Sequence, residues 1–145
     1  MCHARRWLCG AGVLLLLGGC GTPTPDTVVA QCTQAVAAKK YERVLPYCTP
    51  ALRQVYSNNL TLAQYHRHLA TSTTFAVEPA ELYGDTAAVV RLTMTVATRQ
   101  MGTATVPLQV ELVRHDKWYV HAAWRVSADG RIVAPALPDV PAPLF

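Results

Sequence analysis

Charge is sparse in this chain: 15% of its 145 residues are Asp, Glu, Lys or Arg, and nine of them are acidic. The 13 basic residues are scattered, which gives no case for nucleic acid, because phosphate backbones are gripped by clustered Lys and Arg. The N-terminal apolar run, Trp7 to Leu17, is 11 residues long, short of the roughly 20 that a membrane-crossing helix needs. No catalytic or cofactor signature stands out, and no cofactor is expected. Cysteine occurs five times, but a pair of Cys without a nearby His cannot fill a tetrahedral zinc site, so no metal is expected either.

What is present begins with an address. Arg5 and Arg6 precede the run Trp7 to Leu17, and Leu17-Gly18-Gly19-Cys20 closes it, giving a positive end, a short apolar core and small residues before a cysteine. These residues resemble the signal peptide and lipobox of a bacterial lipoprotein precursor. The resemblance implies cleavage before Cys20, a thioether-linked diacylglycerol and an N-acyl chain such as palmitate on Cys20, with residues 1–19 as leader and 20–25 as a lipidated tether. Each buried methylene contributes about 0.8 kcal/mol, and two chains already anchor stably. Gly21 stands where an Asp would imply inner-membrane retention, so the implied address is the cell envelope, on the periplasmic face of the outer membrane.

Loss of Arg5 and Arg6 with the leader lowers the formal charge from +4 to +2, and the remaining length suits one domain with a real core. Cys2 and Cys9 also leave, Cys20 is consumed by lipid, and Cys32 and Cys48 remain in an oxidising compartment. Val28, Val29, Cys32, Ala35 and Val36 recur at helical intervals, as do Val44, Leu45 and Cys48, with Lys39-Lys40 as a polar turn between them. Two antiparallel helices would bring Cys32 and Cys48 level, and a disulfide worth about 3 kcal/mol is expected there.

The periodicities predict an α+β domain over residues 26–134, followed by a Pro-rich tail, 135–145, whose prolines at 135, 138 and 141 suit an extended polyproline edge. Thr49-Pro50 supplies an N-cap and first-turn proline for a third helix, Ala51 to Tyr56, and Thr61 with Gln64 a capping box for a fourth, Leu62 to Leu69. From Thr74 the period becomes two. Ala88, Val90, Leu92, Met94 and Val96 face inward on one long strand, and Ala104, Val106, Leu108, Val110 and Leu112 on the next. Trp118, Val120, Ala122, Trp124 and Val126 are expected inward on a third, with Tyr119, His121 and Arg125 outward. Matching the apolar faces pairs Leu112 with Val120 and Val110 with Ala122, and sets Val96 opposite Ala104 or Val106 across an odd loop or bulge near Arg99 to Gly102. Pro107 should mark a bulge or a non-donating edge position.

This order of elements, with Lys40-Tyr41-Glu42 at a helix junction, Gly84-Asp85-Thr86-Ala87 before a long strand and Asp116-Lys117-Trp118-Tyr119-Val120 at the last hairpin, resembles the nuclear-transport-factor-2-like superfamily. That implies helices packed in the concave face of a curved antiparallel sheet, a cone like that of cystatins. Enzymes of that superfamily place Asp, His or Tyr on the concave face, whereas the inward positions here are expected to be Ala, Val, Leu, Met and Trp. A non-catalytic binding or scaffold domain is therefore expected. Cone folds often pair through the outward sheet face, so Arg91, Thr93, Thr95, Gln109, Glu111, Tyr119 and His121 are the expected surface for an envelope protein or a second copy, with His121 opposite Glu111. The rival reading is a small isomerase or hydrolase whose pocket is rimmed by Tyr47, Tyr56, Tyr65 and Tyr83 with His66 or His68. His66 and His68, two apart on a helix, point to different faces and read as solvated surface.

Overall fold

The computed structural model describes residues 21–58 and 70–135, so the leader, Cys20, the expected fourth helix with Tyr65, His66 and His68, and the tail beyond Pro135 lie outside the described residues. Helix α1 spans Pro25–Ala37. Thr24 takes the N-cap position in extended backbone, and Pro25 fits the first turn because its fixed φ is already helical. Val28, Val29, Cys32, Ala35 and Val36 form one buried stripe along it. The helix ends in a Schellman motif: the Lys40 N–H donates to Ala35 O at 2.8 Å and the Lys39 N–H to Val36 O at 2.8 Å. Lys39 holds the left-handed position, φ 58°, that a glycine usually fills, and its Nζ donates to Ala70 O at 2.9 Å, tying the helix end to the sheet.

The second helical piece, Tyr41–Tyr47, is a 3₁₀ helix with Pro46 inside it. It ends at Cys48, which turns extended and bridges to Val120, while the Thr49 N–H donates to Val120 O at 2.9 Å. Helix α2, Pro50–Asn58, starts as expected, with the Leu52 N–H reaching the Thr49 hydroxyl at 3.4 Å.

Six strands follow: β1 Ala70–Val77, β2 Glu81–Tyr83, β3 Ala87–Thr98, β4 Gly102–Arg114, β5 Trp118–Val126 and β6 Ile132–Pro135. Their antiparallel order is β1-β3-β4-β5-β6, with β2 pairing the start of β3 beyond the end of β1. The sheet is a meander whose long central strands present one face to the helices. Val90, Leu92, Leu108, Val110, Leu112 and Val120 are all essentially inaccessible on that face, packed with Val29, Cys32 and Val44. Each such side chain contributes about 1.5–3 kcal/mol relative to exposure, which is why the alternation fixes the register.

The β3–β4 hairpin has the expected parity. Val96 pairs with Ala104 and Thr98 with Gly102, across a three-residue loop closed by Gly102 at φ 71°. Pro107 pairs with Thr93 on β3, and the ladder to β5 begins one residue later at Leu108, so proline sits where β4 has a neighbour on one side only.

Candidate functional site

The decisive local feature is a bulge at His121. Leu112 pairs with Val120 as expected, but Glu111 then pairs with Ala122 and Val110 with Ala123, leaving His121 unpaired and exposed. An extra residue shifts the alternation of everything after it. The sequence expectations that Val110 meets Ala122 and that His121 meets Glu111 are both corrected by this residue. So is the facing of the next pair: Trp124 lies opposite Gln109 on the outward face, and Arg125 lies opposite Leu108 on the face toward the helices.

Outward, Trp124 is half-buried and its indole Nε1 donates to Glu111 Oε1 at 3.0 Å, which fixes the ring on the sheet surface. Arg91 and Gln109 occupy the same cross-strand row, and in the row beside it Thr93 pairs with Pro107 across β3 and β4. Arg91 forms an exposed ion pair with Glu81, which also accepts from the Tyr83 hydroxyl at 3.1 Å; these two bonds hold the Glu81 carboxyl below its ordinary range. Thr95 meets Thr105 hydroxyl to hydroxyl at 3.4 Å. Tyr119 stands apart at the end of the β4–β5 hairpin, donating to Asp116 Oδ1 at 2.9 Å; that bond lowers the Asp116 pKa and raises that of Tyr119. Thus Arg91, Thr93, Thr95, Gln109 and Glu111 do share one surface, Tyr119 and His121 border it, and its aromatic centre is a residue that simple alternation places in the core.

The opposite face carries Arg125. The strand residues sharing that face hold two cations and no carboxylate or imidazole: Arg114, exposed at the end of β4 with its guanidinium 5.9 Å from the Trp118 ring centroid, and Arg125, half-buried opposite Leu108. The expectation of a wholly uncharged inner face is therefore corrected. Arg125 Nε is fully covered yet has no hydrogen-bond partner, and an unpaired buried donor costs about 1–3 kcal/mol. Beside it on this face lie the half-buried Met94 and Val106, a register pair, and Phe75, which pairs with Met94.

Cys32 and Cys48 are free thiols, both deeply buried, and the expected bridge between them is not formed. The segment after the turn is a 3₁₀ helix, which rises about 2.0 Å per residue where α1 rises about 1.5 Å. Cys48 lies past its end, with Sγ donating to Val44 O at 3.4 Å. Burial is the main cause that raises both thiol pKa values, that of Cys48 to about 12, with Cys48 also raising that of Cys32. Of the tyrosines expected at a pocket rim, Tyr47 is half-buried against the core and Tyr83 is exposed on β2. Among the described residues no three His, Cys, Asp or Glu side chains come together as a metal site, and no helix is long and apolar enough to cross a membrane.

No protein-family model matches the chain, and no curated protein matches it. Solved structures do. A SEC-C motif containing protein from Rhodopseudomonas palustris superposes with a TM-score of 0.59 at 11% identity, covering 72% of this chain and 80% of its own. A putative scytalone dehydratase from Novosphingobium aromaticivorans gives 0.50 at 12% identity, over 74% of this chain and 86% of its own. A ketosteroid isomerase-like protein from Erwinia carotovora atroseptica gives 0.47 at 12%, over 71% and 94%. At such identities the likeness is one of fold: helices on a curved, open antiparallel sheet of the nuclear-transport-factor-2-like type, as the order of elements suggested.

Proposed function

We propose that this chain is a lipid-anchored binding module of the bacterial envelope, held through acyl groups on Cys20 and contacting an envelope protein or a second copy through its outward sheet face. The observation that carries the contact is Trp124, a half-buried indole fixed by Glu111 at the centre of a surface with Thr93, Pro107 and Gln109 around it. Interfaces concentrate their energy in such aromatic anchors within a polar rim. The lipobox Leu17 to Cys20 supports the anchor and the outer-membrane address.

The reading is non-catalytic. Proton transfer needs a group that titrates near the working pH, within hydrogen-bond reach of a substrate. Arg125 on the inner face offers N–H donors and no proton acceptor, which suits binding and not proton transfer.

Two measurements test the two halves separately. Metabolic labelling with an alkynyl fatty acid should mark the protein and fail on Cys20→Ser; an unmarked, soluble product refutes the anchor. A photo-crosslinking residue placed at Gln109 in the full chain should give a discrete adduct in cells that Trp124→Ala reduces at least tenfold. An adduct indifferent to Trp124, or none at all, refutes the contact.

A further inference from the structure

The inner face of the sheet is a largely apolar surface on which Arg125, unlike the exposed Arg114 at the strand end, is half-buried among hydrocarbon. Arg125 sits opposite Leu108 and diagonal to Val106, close enough on a pleated ladder for a long side chain to reach over its neighbour. Val106 pairs with Met94, and Met94 with Phe75, so a half-buried apolar floor leads away from the guanidinium along the sheet. The guanidinium has a covered Nε without an acceptor, and the ion pairs among the described residues, Arg91 with Glu81 and Arg131 with Asp129, do not include it. The segment 59–69, which connects α2 to β1, contains no Asp or Glu and adds Arg67 and two histidines, so its sequence supplies no counter-charge.

A planar guanidinium offers paired N–H donors that match the two oxygens of a carboxylate, and such a pair is strongest where water is excluded. We infer that the inner face binds a single-chain amphiphile ending in a carboxylate, with the headgroup on Arg125 and the hydrocarbon along Val106, Met94 and Phe75. This site is on the opposite side of the sheet from the outward contact surface and stands without it. The His121 bulge creates it, since an unbulged β5 would turn Arg125 to the outside.

The test is equilibrium dialysis of the full chain carrying Cys20→Ser against radiolabelled dodecanoate and, separately, dodecanol, which has the same tail without the charge. Dodecanoate should bind saturably at one site and at least tenfold more tightly than dodecanol. Arg125→Met, with its fold checked by circular dichroism, should abolish that preference, and Arg125→Lys should restore part of it. Three results overturn the inference: no saturable dodecanoate binding, a preference that survives Arg125→Met, or binding that requires deletion of residues 136–145. The last would mean that the chain's own tail, with Asp139, satisfies the arginine.

Discussion

Leu108 and Arg125 face one another across the β4–β5 ladder, so a 1% exposed leucine and a charged guanidinium share the inner face of the sheet. One supernumerary residue, His121, makes this so, and its role is directly testable. Val120, Ala122, Ala123, Trp124 and Arg125 already alternate correctly against β4 when His121 is skipped. Deleting His121 should therefore leave every facing intact, and the thermal midpoint should move by no more than about 8 °C, the equivalent of about 1 kcal/mol. Deleting Gln109 from the unbulged middle of β4 should instead turn one half of that strand inside out and leave the chain unfolded at 25 °C. Circular dichroism melts of the two deletions decide it. If both are equally damaging, β5 carries no bulge.

The same pair shows how far the sequence could be read. Apolar alternation identified β3, β4 and the start of β5 because burying one face of a strand leaves a mark at every second residue. The loop parity at Arg99 to Gly102 followed from it, and so did the order of elements that defines the fold. The bulge left no such mark: in Val120-His121-Ala122-Ala123-Trp124-Arg125 both parities offer small or aromatic side chains. The adjacent Ala122-Ala123, either able to fill an inner position, was the one available signal that the alternation could slip. Trp124 and Arg125, the centres of the two candidate sites, were thus exchanged by reasoning from alternation alone. The 3₁₀ form of the second helix was not legible for a related reason. Val44, Leu45 and Cys48 fit a helical spacing of three or four residues, and Pro46 between them tightens the turn without altering that spacing.

The thiols carry a prediction about alkaline stability. Folding raises both pKa values above the ordinary 9.0, that of Cys48 to about 12, chiefly because burial disfavours the thiolate. The unfolded chain then loses two protons that the folded chain keeps, so stability is fully present below pH 9 and falls as pH rises above it. The slope is about 1.4 kcal/mol per pH unit for each thiol. Urea midpoints measured between pH 8 and 11 should decline steeply in the parent and shallowly in a Cys32→Ala, Cys48→Ala double variant. At pH 7.5 iodoacetamide should leave both thiols of the folded chain untouched and alkylate both once the chain is unfolded without reductant; resistance in the unfolded chain would reveal a disulfide instead.

Acid acts through different groups. Hydrogen bonds from Arg91 and Tyr83 lower the pKa of Glu81, and one from Tyr119 lowers that of Asp116. A carboxyl with a depressed folded-state pKa adds stability above its unfolded value, and that stability is lost as pH falls through the folded value. Both groups are exposed, so the effect on global stability is small and salt-sensitive. The sharper readout is local: Tyr119→Phe removes the largest cause of the Asp116 shift and should move its titration, followed by carboxyl-carbon NMR, back up toward the usual aspartate range. Glu81 should titrate unchanged in that variant.

A ligand site is recognisable by the stability that it withholds. Arg125 keeps a covered Nε without an acceptor in the unliganded chain, so replacing it by a side chain of similar length and no polar group removes a penalty and adds apolar contact with Leu108 and Val106. Arg125→Met is expected to raise stability by about 1 kcal/mol or more, read as a higher urea midpoint at unchanged slope. Leu108→Ala, directly across the ladder, should cost about 2–5 kcal/mol because it opens a cavity where the side chain is only 1% exposed. Proteins rarely retain a destabilising polar group in such a place unless binding uses it. A loss of stability in Arg125→Met would show that the guanidinium already has its partner within the chain, and the case for an external carboxylate would go with it.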